Sequence, residues 1–155
     1  MARAHVEIQL RWGDQDEYGH INNVTFARYL EEARVRLLWL GAAVEQTGLE
    51  GHFRGDAPDG PKMLVASQSI EFVQILEYSE HPITVEMWIG KLGGASIEIH
   101  YEVLDGASEE RRVVARAVTQ AVIVDGTSMR PTRLSQEGRV IAQDWMDEPL
   151  TLRRG

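Results

Sequence analysis

One long amphipathic segment near the start of the chain places the tightest limit on its fold. Apolar residues recur there at steps of three or four, the spacing of a single helix face, and they are Phe26, Leu30, Ala33, Leu37 and Leu40. Helix-capping residues precede the segment, so we expect the helix to begin near Val24 with Asn22 or Asn23 as its cap. Gly41 or Gly48 should end it, because glycine readily adopts the left-handed conformation found there.

Strand signals lie on both sides of this helix. Before it, four apolar residues alternate with polar ones, as on a half-buried strand: Val6, Ile8, Leu10 and Trp12. After it, turn signals separate four further strand-like stretches, which run from Met63 to Leu76, Ile83 to Ile89, Ser96 to Leu104 and Arg112 to Val124. This order predicts an α+β fold in which a five-stranded antiparallel sheet wraps around one long central helix.

The remaining segments are less regular. Thr47 to Lys62 holds four of the 14 glycines together with Pro58 and Pro61, which predicts a loop. The polar tail after Leu134 predicts only a short helix, near Ser135 to Asp144. A length of 155 residues fits one domain covering residues 1–155.

Composition excludes several classes of function. Acidic residues outnumber basic ones by 24 to 16, so nucleic acid would be repelled. The absence of cysteine rules out disulfides and a thiol nucleophile, and the five histidines show no metal-ligand spacing, so we expect no metal. Signatures of serine hydrolases and nucleotide-binding loops are missing. Without an apolar run of signal-peptide or membrane-span length, we expect a cytoplasmic protein with no membrane association.

The most specific signal is the stretch from Asp14 to Asn23, which reads D-Q-D-E-Y-G-H-I-N-N. It resembles the D-x-D-x-x-G-H-[IV]-N-N motif of the 4-hydroxybenzoyl-CoA thioesterase-like family, which has the hotdog fold. The helix pattern from Tyr29 to Arg34 and the stretch from Gly93 to Val103 extend the resemblance. So do Val124-Asp125 and Arg130-Pro131, at the end of the fifth strand. The resemblance implies a hotdog domain that hydrolyses acyl-CoA thioesters.

The resemblance also implies roles for three residues. Asp16 takes the place of the family's catalytic carboxylate, and the backbone N–H of Asn23 takes the place of the group that polarises the thioester carbonyl. Free N–H groups at a helix start carry partial positive charge, which suits a developing oxyanion. A carboxylate beside them can act as a general base toward water or as a nucleophile, and the sequence does not choose. His20 is the third candidate.

Each of these residues also has a structural interpretation. Asp14 and Asp16 are both typical turn formers, and for Asp14 that interpretation is the stronger one. His20 fits a hydrogen-bonded structural residue, Asn22 and Asn23 fit helix caps, and Tyr29 fits the core before an acyl pocket.

Contacts with coenzyme A are harder to assign. Some relatives carry a basic cluster at the turn before the fourth strand, whereas this chain has only Lys91 followed by Leu92-Gly93-Gly94. Lys91, Arg111 and Arg112 are the candidates for the CoA phosphates, although each also fits ordinary solvated surface charge. We expect no separate cofactor, because coenzyme A would be part of the substrate.

Other functions stay open. The chain could hydrolyse thioesters of acyl carrier protein, hydrate an enoyl-CoA as other hotdog proteins do, or bind acyl-CoA without catalysis. Its sheet should also have free edges, which predicts a homodimer joined edge to edge, or a homotetramer.

Overall fold

The fold is a single antiparallel sheet curved around a helix. A computed structural model describes residues 3–39, 47–49, 60–106 and 111–153. The strands are β1 (Ala4–Ile8), β2 (Lys62–Phe72), β3 (Ile83–Leu92), β4 (Ser96–Asp105) and β5 (Arg112–Val124). The helices are α1 (Asn23–Arg34), which continues as a π-helical turn (Val35–Trp39), and α2 (Gln136–Gln143), with a short 3-10 helix at Trp12–Asp14.

The sheet has the order β1-β3-β4-β5-β2, and all its pairs are antiparallel. The apolar face of α1 packs on its inner face, where Ala117 and Ala121 of β5 are fully buried in the same core as Leu30 and Leu37. Their small side chains leave room for the helix. The predicted five-stranded hotdog arrangement is therefore confirmed, with β1 and β2 as its two edge strands.

The first strand is shorter than predicted. It ends at Ile8, and Trp12 lies in the 3-10 helix with 75% of its surface exposed. The indole forms a T-shaped contact with the ring of Tyr78, at 5.5 Å between ring centroids. The alternation from Val6 to Leu10 does mark buried positions, but extending it to Trp12 was wrong, because the chain turns before that residue to begin the motif.

The second strand also ends earlier than predicted, at Phe72 instead of Leu76. The N–H groups of Val73 and Gln74 both donate to the carbonyl of Val114, so the regular ladder with β5 stops there. The carbonyl of Leu76 then accepts a hydrogen bond from Ile21 at 2.7 Å. The chain thus leaves the sheet edge and runs beside the motif segment.

The tail forms the predicted short helix and then crosses the face of the sheet opposite α1. Ser135 caps α2 by accepting from the Gly138 N–H at 3.0 Å. Beyond α2, Trp88 donates to the carbonyl of Glu148, and the Leu150 N–H donates to Nδ1 of the buried His100. The outer face of the sheet is therefore partly covered by the chain itself.

Two predicted features lie largely outside the described residues. They are Gly41 as an end of the helix and most of the predicted loop from 47 to 62. Gly48 is described and has a φ of 84°, a conformation that favours glycine. No helix in the described part of the chain is long and apolar enough to cross a membrane.

Candidate active site

The motif segment folds into a tight hairpin beside the start of α1. The Asp16 N–H donates to the carbonyl of His20 at 2.7 Å, and the Gly19 N–H donates to the carbonyl of Asp16 at 3.1 Å. Gly19 has a φ of 75°, which is the reason a glycine is needed at this turn. Because Ile21 is bonded to Leu76, the hairpin is held against the segment that follows β2.

The two carboxylate oxygens of Asp16 differ in their contacts. Its Oδ1 accepts hydrogen bonds from the N–H groups of Tyr18, at 2.9 Å, and of His20, at 3.1 Å. These bonds make Asp16 a turn former. Its Oδ2 bonds to no described residue, and the side chain is only half-buried. One oxygen therefore holds the turn, while the other is free to meet a substrate or a water.

The start of α1 supplies a free donor. Asn22 is the cap, since its Oδ1 accepts from the Val24 N–H at 3.1 Å, and the helix begins at Asn23, one residue before the predicted start. The N–H of Asn23 donates to none of the described groups. It lies at the positive end of the helix dipole, where it can stabilise a negative oxygen.

Asp16, His20 and Asn23 all line one surface groove of about 310 Å³. The structure thus brings together the three predicted site residues. The rest of the lining is mostly apolar and comes from Ile21, Phe26 and the segment from Phe72 to Leu76. Phe72 and Ile75 are 49% and 58% exposed, although the sequence suggested a strand there. In the sequence, the only signal for an apolar wall beside the motif was the apolar character of the segment from Phe72 to Leu76.

Asp14 is structural. It is 3% exposed, its Oδ2 accepts from the Tyr29 hydroxyl at 2.8 Å and from the Arg11 N–H at 3.0 Å, and Nε of Arg11 lies 3.1 Å from Oδ1. Burial by itself would raise the pKa of Asp14, but the hydrogen bonds and the Arg11 charge outweigh it and lower that pKa below its ordinary value. Burial and the bond to Asp14 raise the pKa of Tyr29. Asp14 thereby ties the motif to the helix.

Acid should remove the stability that Asp14 provides. Because its pKa is lower in the folded than in the unfolded chain, the ionised carboxylate stabilises the fold above its ordinary pKa of 3.8. That contribution is lost as the pH falls through the lowered value. Urea unfolding at a series of pH values from about 7 down to about 2 should show a steeper acid loss for the wild type than for Asp14→Asn, which cannot titrate. If the stability of the two proteins fell equally with pH, this role of Asp14 would be contradicted.

The candidate phosphate contacts lie at two separate places. Arg112 donates to Gln74 Oε1 at 2.8 Å and to the carbonyl of Ile75 at 3.1 Å, so it borders the groove, and the exposed Arg111 precedes it. Lys91 pairs with Glu98 on β4, seven positions from the partner of Arg112 on the same strand. This is roughly 23 Å along a strand. Within one chain, Lys91 lies away from the groove.

Two arginines that the sequence reasoning missed approach the turn after Lys91. Arg139 donates to the carbonyl of Gly93 at 2.9 Å, and a guanidinium nitrogen of Arg133 lies beside Gly94. They stand about forty residues away in sequence, so no local pattern indicated them. The turn is thus more basic than its own residues suggest.

Comparison with known proteins identifies the family and the fold. A model of the thioesterase-like superfamily matches residues 10–146. Among solved structures, a Pseudomonas aeruginosa protein is 26% identical, with a TM-score of 0.74, over 93% of this chain and 92% of its own. No curated protein matches in sequence.

Two further solved structures, both below 25% identity, share the fold. The DHNA-CoA thioesterase of Staphylococcus aureus is 17% identical, with a TM-score of 0.72, over 93% of each chain. A Thermus thermophilus thioesterase, complexed with coenzyme A and zinc, is 21% identical, with a TM-score of 0.66, over 90% of this chain and 96% of its own.

Proposed function

Because the chain belongs to the thioesterase-like superfamily and is a thioester hydrolase, we propose that it cleaves acyl-CoA to a free acid and coenzyme A at the groove beside Asp16. The observation that carries the proposal is the pairing of two unused groups in that groove. One is the carboxylate oxygen Oδ2 of Asp16, and the other is the backbone N–H of Asn23. Hydrolysis of a thioester needs a base or nucleophile, such as this carboxylate, and a hydrogen-bond donor for the carbonyl oxygen, such as this N–H.

The chemistry follows from these two groups. The thioester oxygen accepts a hydrogen bond from the Asn23 N–H. This hydrogen bond becomes stronger as negative charge develops on the oxygen. As a base, Asp16 takes a proton from a water that attacks the carbonyl carbon, the C–S bond breaks, and the proton passes to the departing sulfur. As a nucleophile, Asp16 attacks the carbonyl carbon, the C–S bond breaks and the departing CoA thiolate takes a proton from water; water then hydrolyses the resulting mixed anhydride to the acid and frees the Asp16 carboxylate.

The rest of the groove fits the remaining parts of such a substrate. Its apolar wall, which includes Phe26, Phe72 and Ile75, suits the acyl or pantetheine portion. The ring of His20 bonds to no described residue and lines the same groove, so it is available to position the thioester.

We assign the phosphate end of coenzyme A to Arg112, which bonds to Gln74 and Ile75 of the groove wall, and to the exposed Arg111 that precedes it. The presence of coenzyme A in the Thermus thermophilus relative supports a CoA substrate over a carrier protein. The net charge of −8 also disfavours an acidic carrier. Lys91 lies away from the groove within one chain, so it can reach this substrate only from a second copy of the chain. We also propose a cytoplasmic location for the protein.

We also propose that two copies join along β2 to form a homodimer. This edge strand has eleven residues and is mostly exposed, including Leu64 at 42% and Val65 at 48%. An edge of this length with apolar side chains is a template for pairing with another strand.

Charges on this edge should separate the copies. The double substitution Leu64→Lys with Val65→Lys places repelling lysines along both paired strands. Light scattering after size-exclusion chromatography should give twice the chain mass of 17.5 kDa for the wild type and a single chain mass for the variant. Glu7→Lys, on the other edge strand, is the control and should stay dimeric. A double variant that stays dimeric would place the interface elsewhere.

Thiol release from a panel of short, long and aromatic acyl-CoAs is the direct test of the proposed function. Release that depends on Asp16 supports it. Consumption of an enoyl-CoA without thiol release would favour a hydratase. Tight binding without any turnover would favour a non-catalytic acyl-CoA binding protein, and activity only on carrier-bound acyl groups would favour the carrier thioesterase.

A further inference from the structure

A charged side chain lies inside the fold without a charged partner among the residues that the structure describes. Arg34, on α1, is only 9% exposed. Its Nη1 donates to Gln68 Oε1 and to the Tyr101 hydroxyl, each at 3.1 Å, and both acceptors are neutral. Thr119 completes the cluster by bonding to Tyr101 at 2.9 Å and to Gln68. We call these four residues the Arg34 cluster.

Arg34 differs in this respect from other arginines of the chain. Arg3, Arg11, Arg112 and Arg116 each lie within 3.2 Å of a carboxylate oxygen and are more exposed. Arg34 has no described carboxylate at ion-pair distance, and its Nε and Nη2 bond to none of the described residues. A buried charge without a counter-charge is costly, and a guanidinium has five donors. Such a site is suited to an anion that comes from outside the chain.

The Arg34 cluster lies in line with the proposed catalytic groove. Arg34 follows Asn23 by eleven residues, which is three turns and places both on the same side of α1, roughly 16 Å apart. Long helical side chains lean toward the helix start, which brings the guanidinium about one turn nearer the groove. On β2, Gln68 stands four residues before Phe72, a wall residue of the groove.

The surface between the two sites is apolar. Ile70, midway between Gln68 and Phe72, packs against the core while staying partly exposed, so it contributes to this surface, whereas Leu30, one turn before Arg34, is only 1% exposed and lies within the core. An extended acyl chain starting at Asn23 can follow this surface. Its far end would then lie at the Arg34 cluster.

We propose that Arg34 binds a carboxylate at the far end of the acyl group, so that the preferred substrates are CoA thioesters of medium-chain dicarboxylic acids. This rests on the proposed thioesterase function. Arginine binds carboxylates through two parallel N–H donors, and Nε with Nη2 form such a pair. The bound carboxylate supplies the charge that the interior lacks, and Gln68 and Tyr101 hold the guanidinium in place.

The test compares chain-matched substrates. Thiol release is measured with adipoyl-, suberoyl- and sebacoyl-CoA against hexanoyl-, octanoyl- and decanoyl-CoA. A charge-assisted pair of this kind should give a kcat/KM ratio of about 10- to 100-fold in favour of at least one dicarboxylic substrate. In Arg34→Met the ratio should fall to about one. Arg28→Met, an exposed arginine on the other side of α1, is the matched control and should keep the wild-type ratio.

A second variant places the counter-charge in the chain itself. Gln68→Glu puts a carboxylate on the guanidinium, so it should raise the melting temperature and abolish the preference for dicarboxylic substrates. This variant keeps the idea testable even if Arg34→Met fails to fold.

Each other outcome overturns the proposal. Equal rates on charged and neutral acyl-CoAs would reject the carboxylate site while leaving the thioesterase function intact. No thiol release from any substrate would instead reject the thioesterase function. If Arg34→Met turned a dimer into monomers, the missing carboxylate would belong to a second copy of the chain.

Discussion

Replacing Asp16 with asparagine should lower kcat by about 10²- to 10⁴-fold on the best acyl-CoA substrate, the usual contribution of a catalytic base. Asparagine keeps an Oδ1 that accepts from the N–H groups of Tyr18 and His20, so the hairpin should persist. What it removes is the negative charge of the carboxylate, and with it the basic and nucleophilic character of Oδ2. The loss should therefore fall on turnover and not on folding.

Thiol release and thermal unfolding measured on the same preparations separate these effects. Asp16→Asn should unfold within a few degrees of the wild type, whereas Asp16→Ala should lose both activity and some stability, because it also removes the turn acceptor. If Asp16→Asn retained the wild-type rate, Asp16 would be a turn residue only, and the reactive group would lie elsewhere.

Replacing Asn23 with proline should lower kcat by about 10²- to 10³-fold, the cost of removing one oxyanion donor. Proline has no N–H, so the substitution deletes the donor together with the Asn23 side chain. The first helical position tolerates proline well, since its N–H has no partner within the helix. Asn22, with φ of −62° and ψ of 138°, already has the extended conformation that a residue before proline requires.

Asn23→Ala is the matched control, because it removes the same side chain but keeps the backbone N–H. It should retain most of the activity, and far-ultraviolet circular dichroism should show the same helix content in both variants. Equal rates for the proline and alanine variants would mean that the Asn23 N–H does not contact the reacting oxygen.

Local features of the candidate site were predictable because their partners are close in sequence. The Asp16 turn joins residues two and four positions apart, and the Asn22 cap joins residues two apart. Gly19 is needed by the backbone of a single turn. The resemblance to the family motif therefore placed Asp16, His20 and Asn23 around one helix start, and the periodicity of α1 and the strands predicted the layers of the fold.

Contacts across the sheet were not predictable in this way. The apolar wall from Phe72 to Leu76 meets the motif only because β2 leaves the ladder at Val114, and Trp12 is exposed because the chain turns early. Arg34 donates to Gln68 and Tyr101, which are 34 and 67 positions away. Spacing encodes hydrogen bonds between near neighbours, whereas partners on different strands depend on the register and curvature of the whole sheet, which set the distances only once the core has packed.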